Sequence, residues 1–90
     1  MTKICVHAFV TGKVQGVWFR QSTQEQALQQ GVTGWAKNLN DGRVEVLLCG
    51  HAEAVAKVQQ WLHEGPELAR VDTVVAEEER YQPVAGFITG

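Results

Sequence analysis

The run Gly12-Lys13-Val14-Gln15-Gly16-Val17-Trp18-Phe19-Arg20 holds the residue types that bind an anion. It leaves a β-patterned segment, turns on two glycines and enters a helix-patterned stretch. Backbone N–H groups at such a turn and at a helix N-terminus attract negative charge. Glycine supplies the positive φ and the close backbone approach that a cradle needs. Arg20 adds a planar, permanently charged fork that matches two phosphate oxygens. The chemistry this predicts is oxyanion binding, with phosphate as the first candidate. The same spacing also fits a glycine-rich β-to-α connection with a surface arginine, because two glycines and an arginine are common. The loop is not a Walker A motif, since no Gly-Lys-Ser/Thr follows the second glycine.

Asn38 is the second candidate. It ends a strand-patterned segment, and the helix after the glycine loop connects the first strand to that segment. The topology therefore brings Asn38 toward the loop across eighteen residues of chain. An amide beside a phosphate site offers a donor and an acceptor, and can hold a water aimed at phosphorus. The simpler account is strand-end turn chemistry in Asn38-Leu39-Asn40-Asp41-Gly42. Trp18, Trp35 and Trp61 read as core or pocket-rim residues, His7 as a solvent-side residue of the first strand, and Lys13 as a surface lysine. The histidines and cysteines lack metal-ligand spacing, so a structural metal is not expected.

The elements that must position these residues follow from periodicity. Residues 3–11 alternate, with Ile4, Val6, Ala8 and Val10 on one face. Residues 19–30 read as a helix stopped at Gly31. Ser22 and Glu25 offer a capping box for a later start, but Phe19, Thr23 and Ala27 share one face. Burying Phe19 contributes more than one cap, which favours the earlier start. Residues 33–38 form a strand, 39–42 a turn and 43–49 a strand with Val44, Val46 and Leu48 on one face. Residues 52–64 form a helix with Val55, Val58 and Leu62 in its apolar stripe, ended by Gly65-Pro66. Residues 69–81 are a fourth strand, with Glu77-Glu78-Glu79 an exposed strand end or turn, and 86–89 a short last one. The order β-α-β-β-α-β with an extra C-terminal strand predicts an α+β, ferredoxin-like sandwich: an antiparallel sheet with both helices on one face. One domain spans residues 1–90. That fold hosts many functions and decides none by itself.

The net charge of −2 argues against a general nucleic-acid binder. Lys3, Lys13, Arg20, Lys37 and Arg43 outnumber Glu25, Asp41 and Glu45 in the first half, whereas seven acids face three bases in the second. The positive half is the half with the loop, which suits a small anionic ligand. No segment approaches the roughly 20 apolar residues of a membrane span. The N-terminus alternates instead of forming the apolar run of a signal peptide. The expectation is a cytoplasmic monomer without nucleic-acid or membrane partners.

Two segments carry a resemblance to a known family. Gly12–Arg20 matches the pattern G-x-V-x-G-V-x-F-R at each fixed position, and Gly34–Glu45 matches G-W-[VA]-[RK]-N-x-x-D-G-x-V-E. Thr23, Ala27, Gly31, Gly34 and Ala69-Arg70-Val71 also fall in place. Over essentially its whole length the chain resembles the acylphosphatase family. The resemblance implies hydrolysis of the carboxyl–phosphate bond of acyl phosphates, without metal or cofactor. By position it puts the phosphate-binding arginine on Arg20, the water-orienting asparagine on Asn38, and the backbone cradle on Gln15, Gly16, Val17, Trp18 and Phe19. It departs at the C-terminus, where only Thr89-Gly90 follow Phe87-Ile88. A less secure edge strand is the expectation there.

The chemistry is coherent without the family. Nothing near Arg20 or Asn38 reads as a general acid, and a phosphate ester would need its alkoxide protonated. An acyl phosphate expels a carboxylate, whose conjugate acid has a pKa of about 4, so it departs unassisted. The protein then has only to place water in line and stabilise the phosphoryl oxygens. The absence of a nucleophile–base pair argues against a covalent phosphatase. The competing class is a non-catalytic phosphate- or anion-binding regulatory module, which needs Arg20 but no aligned water. In the hydrolase reading, inorganic phosphate should compete with substrate because it occupies the same cradle. A ferredoxin-like nucleic-acid binder is disfavoured because the third strand carries no aromatic pair of the RNP1 kind.

Cys5 and Cys49 carry a separate expectation. The ferredoxin-like order makes the first and third strands antiparallel neighbours, which brings the two positions side by side. Both alternate with core-facing residues and so point to the open face of the sheet. Cross-strand Cα separations of ~4.5–5.5 Å lie within disulfide reach, whereas a reducing cytoplasm favours two thiols.

Overall fold

The computed structural model describes residues 2–90. Its elements are β1 (Lys3–Lys13), α1 (Phe19–Gln30), β2 (Thr33–Asn38), β3 (Val44–His51), α2 (Ala52–Leu62), β4 (Arg70–Arg80) and β5 (Phe87–Thr89). The strands form one sheet in the order β4-β1-β3-β2-β5. β1 is antiparallel to both β3 and β4, and β2 is antiparallel to β3. The α+β, ferredoxin-like arrangement read from the periodicity is therefore present, with one difference. β5 joins β2 in parallel, through Gly34↔Phe87, Trp35↔Ile88 and Ala36↔Thr89, so the sheet is mixed. Residues 81–86 run from the β4 edge to the opposite edge, which reverses the direction in which the chain re-enters the sheet.

The core lies between the sheet and the helices. Val6, Ala8 and Val10 of β1 and Val44, Val46 and Leu48 of β3 meet Phe19 and Ala27 of α1 and Val55, Val58 and Leu62 of α2. α1 starts at Phe19, which is fully buried and packs on Trp61 with ring centroids 5.7 Å apart. The capping-box start is not used. Gly31 ends the helix in the left-handed region, where it and Val32 donate to the Leu28 and Ala27 carbonyls. Helix α2 stops two residues earlier than the pattern suggested, at Leu62, before the Gly65-Pro66 break. Among the described residues no helix is long and apolar enough to cross a membrane.

β1 runs two residues further than its alternation indicates. Its register against β4 shifts between Thr11 and Gly12. Gly12 has φ 133°, and a Cβ there would strike the Arg70 carbonyl oxygen. This bulge bends the end of the strand out of the ladder and starts the glycine loop.

On the face away from the helices, His7 Nε2 lies 2.6 Å from Glu45 Oε2, and Lys37 Nζ lies 3.4 Å from Oε1. Burial pushes the Glu45 carboxyl up, but the His7 hydrogen bond and the Lys37 charge outweigh it and hold the group below its ordinary value of 4.5. A carboxylate lowered in the folded state adds stability above its unfolded value. That stability is lost as pH falls through the folded value. Thermal unfolding followed from neutral pH downward is expected to show a loss below about pH 4.5 that Glu45→Gln makes shallower. An identical acid limb in the variant would assign that loss to other groups.

Candidate active site

The loop between β1 and α1 is pinned from below and open above. Val14, Val17 and Phe19 are buried, whereas Gly16 and Trp18 are exposed. Gly16 (φ 74°) and Trp18 (φ 67°) both adopt the left-handed conformation, one residue apart. Left-handed residues alternating along a turn are the backbone pattern from which anion-binding nests are built. α1 continues the donor array. The Ser22 N–H closes the first turn on the Trp18 carbonyl at 2.9 Å, which leaves the N–H groups before it without helical partners.

The loop borders an open cavity of about 290 Å³ lined by Val14, Gly16, Trp18, Phe19, Arg20, Gln21, Asn38 and Thr89. Drug-sized ligands occupy roughly 300–1,000 Å³, so this volume suits a smaller molecule. Arg20 and Asn38, eighteen residues apart in sequence, line the same cavity. Of the five residues read as cradle, Gly16, Trp18 and Phe19 border it, while Gln15 and Val17 are not among the lining residues. Val17 anchors the loop in the core. The Gln15 side chain points sideways: Nε2 donates to the Leu39 carbonyl at 2.7 Å and to the Arg43 carbonyl at 3.0 Å.

That contact ties the cradle to the turn that follows Asn38. The turn is closed by the Leu39 N–H on the Arg43 carbonyl, 2.8 Å. The Asp41 carboxylate braces it, accepting from the Arg43 backbone N–H at 3.1 Å and from Arg43 Nε at 2.8 Å. The Arg43 backbone N–H, helped by the guanidinium, outweighs desolvation and holds the Asp41 carboxyl below its ordinary value. Asn38 itself ends β2, opposite Val44. Its Oδ1 is buried and accepts no hydrogen bond from the protein. Buried polar atoms are nearly always paired, so an acceptor left open beside a cavity is suited to a small polar guest.

Two neighbours of the cavity escaped the reading of the sequence. Thr89 lines it from β5, and the Gly90 carbonyl accepts a hydrogen bond from Arg20 Nη1. Gly90 is held in turn by its N–H on the Ala36 carbonyl, 2.9 Å, and β5 is tied to α1 by Gln24 Nε2 on the Phe87 carbonyl, 2.7 Å. The short last strand is thus paired and braced. No periodic signal in three residues could have placed it beside Arg20. Trp18 proves to be a rim residue, 70% exposed. Trp61 is a core neighbour, and Trp35 lies on the open face under Lys37, 4.9 Å from the Nζ to the ring centroid.

A ferredoxin-like sheet with a glycine loop, an arginine and an open amide acceptor around one small cavity is an arrangement suited to a small anion. The acylphosphatase family pattern matches residues 6–89. The chain is 53% identical over 88 residues to the acylphosphatase of Pseudomonas paraeruginosa, covering 98% of this chain and 97% of that protein. It is 56% identical over 81 residues to the acylphosphatase of Halorhodospira halophila, covering 90% and 88%. The structure of an acylphosphatase from Coxiella burnetii superposes with a TM-score of 0.93 at 40% identity, covering 98% of this chain and 93% of that one. The chain belongs to the acylphosphatase family and is a hydrolase.

Proposed function

We propose that the chain hydrolyses acyl phosphates to a carboxylate and inorganic phosphate by in-line attack of a water that Asn38 orients. The phosphoryl oxygens sit in the Gln15–Phe19 loop and against the Arg20 guanidinium. The water's oxygen forms the new bond to phosphorus as the bond from phosphorus to the bridging acyl oxygen breaks. The carboxylate leaves with that electron pair, and the water's protons stay with phosphate or pass to solvent. With a leaving group whose conjugate acid has a pKa of about 4, no protein acid is required. What the chain supplies is position and charge stabilisation. The observation that supports this reading is the buried, unpartnered Asn38 Oδ1. A module that only binds phosphate has a use for Arg20 and the nest, and none for that acceptor.

Among the described residues, no three His, Cys, Asp or Glu side chains form a metal-binding group. Activity on a simple acyl phosphate is therefore expected to survive EDTA, with inorganic phosphate competing and alkyl phosphate esters poorly turned over. Loss of activity in the chelator with recovery on adding a divalent ion would refute the mechanism. Phosphate binding without any turnover would leave the regulatory-module reading.

A further inference from the structure

Trp18 is an anomaly that folding does not explain. It is the single non-glycine residue with positive φ among the described residues. Its indole is 70% exposed, and it takes part in no aromatic pair or cation–π contact there, unlike Trp35 and Trp61. A β-carbon in the left-handed region is strained, and an exposed indole returns no burial. Glycine would serve the nest's backbone better, as it does at Gly16. Strained positions concentrate where a site uses the side chain they carry. Trp18 lines the cavity that holds Arg20 and Asn38.

We propose that the Trp18 indole is the platform for the acyl group, and that the site therefore prefers acyl phosphates whose acyl portion is aromatic or otherwise flat and apolar. This rests on the proposed acyl phosphate hydrolysis. With the phosphoryl group in the nest and water on the Asn38 side, in-line geometry sends the acyl group away from Asn38 and toward the mouth. The exposed side chains that line the cavity beside the loop are Trp18, Gln21 and Thr89, and of these the indole is the large apolar surface. None of these carries a charge, so an acyl group with a distal carboxylate or ammonium finds no opposite charge among them. A flat ring gains offset or edge contact with the indole, and a methyl group gains little.

The test compares benzoyl phosphate with acetyl phosphate in the wild type, Trp18→Gly, Trp18→Asn and Trp18→Phe. Glycine and asparagine both accept the left-handed backbone without a ring, and phenylalanine keeps a ring. The ratio of kcat/KM for benzoyl over acetyl phosphate is expected to fall about fivefold in the Gly and Asn variants, chiefly through KM for benzoyl phosphate, and to be largely restored in Trp18→Phe. The intrinsic reactivities of the two substrates cancel in that comparison. An unchanged ratio overturns the proposal. So does an equal loss on both substrates in the ring-less variants, which would make Trp18 a loop-holding residue only. Competition for the site by phenacylphosphonate and acetonylphosphonate, in which CH2 replaces the bridging oxygen, is read in parallel by displacement of bound phosphate. If the wild type hydrolyses neither substrate, the proposed function fails. The platform then stands only if phenacylphosphonate binds about fivefold more tightly than acetonylphosphonate and Trp18→Asn removes the difference.

Discussion

Asn38→Ala is expected to lower turnover of an acyl phosphate by roughly 10²-fold or more while phosphate inhibition stays nearly intact. The reasoning separates two sides of the cavity. In the proposed mechanism the loop and Arg20 hold the phosphoryl oxygens in ground state and transition state alike. The Asn38 amide matters only when a water must lie on the line from phosphorus to the leaving oxygen, so its removal falls on kcat. Its Oδ1 is buried without a protein partner. A buried acceptor in that state costs about 1–3 kcal/mol of desolvation. The alanine variant should therefore fold as well as the wild type or better, which keeps the kinetic result interpretable. Arg20→Lys tests the other side. It keeps a charge and loses the planar fork, so phosphate affinity and rate should fall together. Steady-state kinetics with phosphate as competitor, alongside thermal unfolding, reads both variants. A folded Asn38→Ala protein that no longer binds phosphate would remove the water-orienting role.

The parts of this site that local pattern encodes were readable from the chain. Apolar alternation at Val6, Ala8 and Val10 and at Val44, Val46 and Leu48 placed the central strands, because a slip of one residue would expose the whole face. Phe19 marked the helix start more reliably than the Ser22–Glu25 capping signal, because burying an aromatic ring outweighs one terminal hydrogen bond. What stayed hidden depends on long-range chain paths. β5 is three residues long and pairs in parallel because residues 81–86 cross to the far edge, so the approach of Thr89 and Gly90 to Arg20 has no local cause. Gln15 was read for its backbone, yet its side chain reaches Leu39 and Arg43. No spacing rule connects residues that meet only after β2 and β3 have folded back on β1.

The same crossing segment touches one of the two cysteines. Cys5 and Cys49 face each other in the β1–β3 register, with Cα atoms 4.1 Å apart and the sulfurs at bonding distance. Parity put them on the open face of the sheet, but that face is covered at this point. Both residues are buried, and the Gln82 N–H lies 3.4 Å from Cys5 Sγ. The bond spans a sequence separation of 44. In the chain-entropy account, closing a loop of that size removes about 4 kcal/mol of unfolded-state freedom. Against a total stability of about 5–15 kcal/mol for a typical domain, that is a large share. Oxidised protein is therefore expected to unfold at a markedly higher denaturant concentration than reduced protein, with a difference approaching about 4 kcal/mol. Cys5→Ala/Cys49→Ala should match the reduced form and ignore reductant. Because both cysteines are buried and Gln82 lies against Cys5 Sγ, reduction of the native protein should be slow until denaturant is added. Denaturant melts with and without dithiothreitol, paired with thiol titration of the unfolded chain, check each step. Two titratable thiols in air-oxidised protein, or melts that coincide, would show that the bond contributes nothing to this fold.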